Sequence, residues 1–268
     1  PPRSTLFPYT TLFRSGLRTI VNRDTEKLTK VVTRVPVTTG ATLRRLLQVD
    51  AVRYVQRELG NYFNNNRVLF MSGMRNYEIA CALADYTDNL SFADPVFQTG
   101  APLLLTSMSQ LELYARGKEV VAGAKPLRLL EKALPRLKKM RVANAMGKAH
   151  VVVGTFDEIK SVGSVENLEG KTLITSAVHS DQLAFYKRCK VNLVIDVSPK
   201  LFDQVVGVAT LEAMMLAHLE CGANEVSDDD FKEIIADLDL KPQLLHPTGH
   251  FRNIRRFAFV VHPLSQEY

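Results

Sequence analysis

The stretch RVLFMSGMRNYEIACAL, residues 67–83, decides how the rest of the chain is read. Val68 to Met71 is an unbroken run of large apolar residues, so neither side of it suits water. Closed by Ser72 and Gly73, such a run reads as a buried strand ending in a glycine turn. The residues that follow, RNYEIACALADY, read as a helix. A strand apolar on both faces that feeds a helix belongs to a parallel sheet covered by helices.

The same rhythm continues outward. NLSFADP gives a second short strand closed by Pro95. AHVVVGTF, KTLITSAV and VNLVIDVSP give three more, each rich in Val, Ile and Leu and bounded by turn residues. Before the deciding stretch, Leu43, Leu46, Leu47, Val52, Val55 and Leu59 fall largely on one face of a helix over residues 41–59. A strand is expected near Val35 to Val37. After the last main strand, VVGVATLEAMMLAHLECG is a strong helix with Gly222 as its stop. SDDDFKEIIADLDLKP is another, with Ser227 as N-cap and Asp228 to Asp230 at the positive end of the dipole. The expected fold is therefore α/β: a Rossmann-like parallel sheet with helices on both faces. A helical insertion, Pro102 to Arg141, separates the second and third main strands.

The second half of that insertion sets Lys125, Arg128, Lys132, Arg136, Lys138, Lys139 and Arg141 against Glu131 alone. A solvated helix face is the expectation; weak contact of residues 125–141 with a membrane surface is the alternative. The formal net charge is +6, an excess that does not by itself call for nucleic acid. No apolar run reaches the roughly 18 residues of a spanning helix. Cys81, Cys189 and Cys221 are far apart and form no CxxC, as expected of free thiols in a reducing cytoplasm. The six histidines are scattered, and no metal-ligand spacing appears.

In an open parallel sheet, ligands bind outside the carboxyl ends of the strands. That rule gathers the turn at Ser72, Gly73 and Arg75, the acid Asp94, the loop Gly154–Thr155–Asp157, Ser176 with His179, and Asp196. Backbone amides of a glycine turn at a helix start can hold a phosphate, and Arg75 adds a charge. Asp94 lies 21 residues after Gly73, the distance at which dinucleotide folds place an acid on a ribose hydroxyl. Such a carboxylate would favour NAD over NADP, because it repels a 2′-phosphate; Arg75 pulls the other way. Ser72, Gly73, Arg75, Asp94, Gly154, Thr155 and Ser176 are thus the candidate cofactor-binding residues. His179, Asp157 and Asp196 are the candidates for managing a proton. The fingerprint of three glycines is absent, and a tight structural turn at Gly73 and a plain Asp-Pro turn at Asp94 stay open.

VPVTTGATLRRLL, RVLFMSGMRNYEIACAL, FADPVFQTGAPLLL, AHVVVGTFDEI, LEGKTLITSAV and the run from VIDVSP to GVATLEAMMLA, in that order, resemble a bacterial family labelled quinate 5-dehydrogenase. The similarity covers roughly residues 20 to 243. It implies an NAD(P)-linked dehydrogenase fold and a quinate-type substrate. The family carries polar residues after the glycine matching Gly207, where this chain has Val208 and Ala209. The tail RRFAFVVHPLS resembles the opening strand of predicted amino-acid dehydrogenases and acyl-carrier-protein reductases.

Four segments are expected. Residues 1–15, PPRSTLFPYTTLFRS, read codon for codon as a translated sequencing-library adapter and are set apart from the fold. Residues 16–243 form the Rossmann-like domain, entered at Gly16 without an initiator Met. Residues 244–254 form a linker, and 255–268 open a further domain with a buried-strand pattern at Phe257 to Val261. The leading functional expectation is a cytoplasmic NAD(P)-dependent oxidoreductase transferring hydride to a small hydroxy or carbonyl compound. The alternative is a non-catalytic ligand-binding or regulatory module fused to a reductase domain.

Overall fold

Every apolar run read as a main strand lies in one sheet. The computed structural model describes residues 38–121, 135–202, 204–220 and 226–249. The adapter reading, the strand near Val35, most of the basic stretch, Gly222 and the tail lie outside the described residues.

After α1 (Ala41–Glu58) come β1 (Val68–Phe70), α2 (Tyr77–Ala84), β2 (Leu90–Phe92) and α3 (Asp94–Gln98). The insertion contributes α4 (Met108–Val121) and α5 (Pro135–Lys148). Then follow β3 (Val151–Val153), α6 (Phe156–Val162), α7 (Val165–Leu168), β4 (Thr172–Thr175), α8 (Ser180–Arg188) and β5 (Leu193–Asp196). A small hairpin, β6 (Lys200–Leu201) and β7 (Gln204–Val205), leads to α9 (Val208–His218), α10 (Asp228–Asp237) and β8 (Gln243–Leu245).

The strand order is β2-β1-β3-β4-β5-β8, parallel throughout except for β8, which runs antiparallel to β5. Strand residues alternate between two apolar layers, as the two-residue period of a strand requires. Val68, Phe70, Val153, Ile174 and Ile195 pack under α1, α2 and α4. Leu69, Met71, Val152, Leu173 and Val194 pack under α5 to α8. This is a Rossmann-like α/β sheet with helices on both faces and a helical insertion between β2 and β3. One boundary shifts. Leu244 and Leu245, placed in a linker by sequence, belong to β8 and pair with Ile195 and Val194. The turn residues around them hid a strand that alone runs against the others.

The other side of α1 builds a third apolar cluster with α9 and α10, through Leu43, Leu46, Leu211, Met215, Phe231 and Ile235. Glu212 is buried there, and its carboxylate accepts the Leu43 N–H at 2.6 Å and the Thr38 hydroxyl. The amides at a helix start have no partners within the helix, so a buried acid on α9 completes α1. Gly40, at φ +72°, is needed at this junction, since a Cβ would meet the backbone of Ala209 at 2.6 Å.

Candidate functional site

Strand order reverses between β1 and β3: from β1 the chain crosses to β2 on one side, then returns to β3 on the other. Loops leaving such a pair diverge and open a crevice at the carboxyl edge. Ser72, Gly73 and Arg75 follow β1, and Gly154, Thr155 and Asp157 follow its parallel neighbour β3. The parallel pairing of β1 with β2 brings Asp94 to the same edge.

The spacing of Gly73 and Asp94 therefore does place them together, but in another role. Asp94 is 0 % exposed. Its carboxylate accepts the Gly73 N–H at 2.7 Å, the Met74 N–H at 3.0 Å and the Gln98 side-chain amide at 3.2 Å. The amides that would face a pyrophosphate already hold an anion supplied by the chain itself. Burial raises the Asp94 carboxyl above its ordinary range, against the lowering by the Met74 and Gly73 amides; Glu158 adds to the rise. Gly73 has its own packing reason. A Cβ there would stand 2.3 Å from Phe92 Cδ1 and 3.0 Å from Leu111 Cδ2. Nor is FADP a plain turn, because Asp94 and Pro95 open α3.

Across the crevice, Thr155 caps α6 in a reciprocal pair with Glu158. Its N–H donates to Glu158 Oε2 at 2.9 Å, and its Oγ1 accepts the Glu158 N–H at 3.4 Å. Glu158 Oε1 also lies 3.6 Å from Arg75 Nη1, so an ion pair spans the two loops. Arg75 stays 58 % exposed. Gly154 is held close to β1, with Met71 Cγ 2.7 Å from where a Cβ would be. Asp157 is exposed in the first turn of α6.

A second carboxylate clasp stands at the ends of β4 and β5. Asp196, 1 % exposed, accepts the N–H groups of Ala177 (3.0 Å), Val178 (2.9 Å) and Ser198 (2.9 Å). Ser198 Oγ takes the Ala177 N–H as well, at 2.6 Å. Asp196 is thus engaged by backbone amides and is not placed as a free proton carrier. Ser176 and His179 are exposed; His179 is the N-cap of α8, its N–H donating to Gln182 Oε1 at 3.3 Å. Beneath them Thr175 Oγ1 and Tyr186 OH are buried without a well-formed hydrogen bond. Burial raises the Tyr186 phenol, and the nearby Asp196 and Asp157 charges push it further.

Sequence reading missed Glu158, Ser198 and Tyr186. The TFDE pattern at residues 155–158 is a capping-box signature that points to Glu158. Nothing local marks Tyr186. Among the described residues no group of His, Cys, Asp and Glu is arranged to hold a metal, and no helix is long and apolar enough to cross a membrane.

Sheet order and strand-end loops define a Rossmann-like α/β domain. The family model of a domain of unknown function (DUF8754) matches residues 42–247, from α1 to just past β8, and the chain belongs to that family. No curated protein and no solved structure matches it.

Proposed function

We propose that this domain is a ligand-binding or regulatory module that takes a small hydroxy or carbonyl acid in the β1/β3 crevice. The observation that carries the reading is the Asp94 carboxylate on the Gly73 and Met74 amides. A dinucleotide would need those amides for its pyrophosphate, and the residues at this turn do not fit that group. Arg75 then becomes the anion contact. It rests on Glu158 at a long 3.6 Å, and a ligand carboxylate offers it a bidentate pair instead. Asp157, exposed in the first turn of α6, would accept a ligand hydroxyl.

Calorimetric titration of the chain with quinate, as the probe hydroxy acid, tests this. Saturable binding that weakens tenfold or more in Arg75→Gln is expected, since hydrogen bonds to a charged group contribute about 1.5–3 kcal/mol. Binding unchanged in Arg75→Gln, or none in the parent chain, would reject the crevice.

A second reading, an NAD(P)-linked oxidoreductase acting on the same class of compound, is favoured by the sheet reversal at β1/β3 and the meeting of Gly73 and Asp94. It requires the carboxylate to leave the turn. A fluorescence response to NADH or NADPH below millimolar concentration would promote this reading over the first.

A further inference from the structure

We propose that a groove at the opposite, amino edge of the sheet is a separate binding site for a small organic phosphate. The groove lies where β1 and β2 begin, walled on one side by α5, and is open to solvent with a volume of about 460 Å³. That volume falls within the roughly 300–1,000 Å³ of small-molecule sites. None of Ser72, Gly73, Arg75, Asp94, Asp157 and Glu158 lines it.

Its chemistry is uneven in a telling way. Arg141, Asn144, Ala145 and Lys148 line it from α5, a spacing that puts all four on one helix face. The other face of α5 buries Val142 and Met146 in the core. Among the described residues, Arg67 adds a third cation from the strand start, its guanidinium 3.3 Å from His150 Nε2, and Asp88 is the one acid in the lining. Leu69, Leu90, Leu104 and Ala149 supply an apolar floor. Among the described residues, neither Arg141 nor Lys148 has a carboxylate partner. Lys148 is not needed to satisfy the end of α5 either. Lys171 does that, its Nζ donating to the carbonyls of Gly147 at 2.9 Å and Ala149 at 2.6 Å.

A solvated helix face would explain the cations alone. It would not explain why they border a groove with an apolar floor. A planar guanidinium pairs with phosphate oxygens through two parallel hydrogen bonds, and a lysine adds a point charge. The ligand class that satisfies both parts is a phosphomonoester on a compact apolar body.

The probe is 2-naphthyl phosphate, titrated calorimetrically into the full chain, with 2-naphthol and inorganic phosphate as its two halves. Saturable binding of the ester, tighter than either half by tenfold or more, is expected. The Arg141→Gln/Lys148→Gln double variant should weaken it ten- to a hundredfold with an unchanged melting transition, because both side chains are exposed. Arg75→Gln, at the far edge, should leave it intact. Equal binding by the double variant, by 2-naphthol or by inorganic phosphate would overturn the assignment, as would no saturable binding of the ester.

Discussion

Two strand-end turns in this domain are built on one plan and finished differently. At β1/β2 the Asp94 carboxylate reaches back to the amides of Gly73 and Met74; at β4/β5 Asp196 reaches back to Ala177 and Val178. In each case the acid stands at or just past the end of a strand, Asp196 as the last residue of β5 and Asp94 as the first of α3 after β2, and the amides belong to the loop after its parallel neighbour. The first turn is sealed: its acceptor has no solvent contact, and Phe92, stacked on Phe70 at 5.0 Å, closes over the glycine. The second turn is half open, and its backbone is strained, with Ala177 at φ +54°. A side chain makes that left-handed conformation unfavourable by about 1–2 kcal/mol. The second clasp is reinforced to hold it, by Ser198 Oγ on the Ala177 amide. One plan thus produces a closed wall at β1/β2 and a tensioned, partly wet loop at β4/β5.

The largest expected difference follows from what each acid leaves behind when removed. Asp94→Ala should destabilise the fold by about 3–5 kcal/mol, because two buried amides lose their acceptor and no water reaches them. Asp196→Ala should destabilise it by about 1–3 kcal/mol, since Ser198 Oγ keeps the Ala177 amide and solvent can serve that of Val178, which leaves the Ser198 N–H as the one buried amide without its acceptor. Chemical denaturation of both variants checks the order; a larger loss for Asp196→Ala would break the contrast.

Glycine and alanine should exchange with opposite signs. Gly73→Ala pushes a methyl into Phe92, which cannot retreat from its stack, and should destabilise by about 1–3 kcal/mol. Ala177→Gly relieves the left-handed strain and should be neutral or stabilising by up to about 1 kcal/mol. Melting temperatures read both. A loss of stability in Ala177→Gly would mean the loop is not strained.

The smallest effect concerns the thiols on the helices that follow the two turns. Burial pushes the Cys81 thiol on α2 up to about 12 and also raises that of Cys189, at the end of α8. The thiolate is the reactive form. A raised value means that proton loss, and with it reactivity, is deferred to higher pH. At pH 8, alkylation of Cys81 in the folded chain should be roughly a thousandfold slower than that of an ordinary thiol. Peptide mapping after iodoacetamide treatment measures it, and rapid labelling of Cys81 would show that the helix behind the sealed turn opens.

These contrasts also mark what the sequence makes legible. Runs such as VLFM and VVV announce buried strands because a parallel sheet leaves them no wet face. β8 is invisible on that rule: Gln243, Leu244 and Leu245 are half-buried at the sheet's edge and look like any loop. The site divides in the same way. Spacing finds the partnership of Gly73 with Asp94, because neighbouring parallel strands of equal length must end together. It cannot find the role, since an acid that grips a ribose and an acid that fills the turn sit at the same distance in sequence. What separates them is Phe92 and Leu111 pressing on the glycine, a contact between segments 19 and 38 residues away from Gly73.

Asp94 closes the Gly73 turn, and on the proposed reading no dinucleotide displaces it. The amide resonances of Gly73 and Met74, followed by ¹⁵N-correlated NMR during titration with NADH to millimolar concentration, report whether one can. Both amides are expected to stay hydrogen-bonded, with shifts that do not move. A saturable shift of both resonances, with faster exchange as Asp94 lets go, would contradict it.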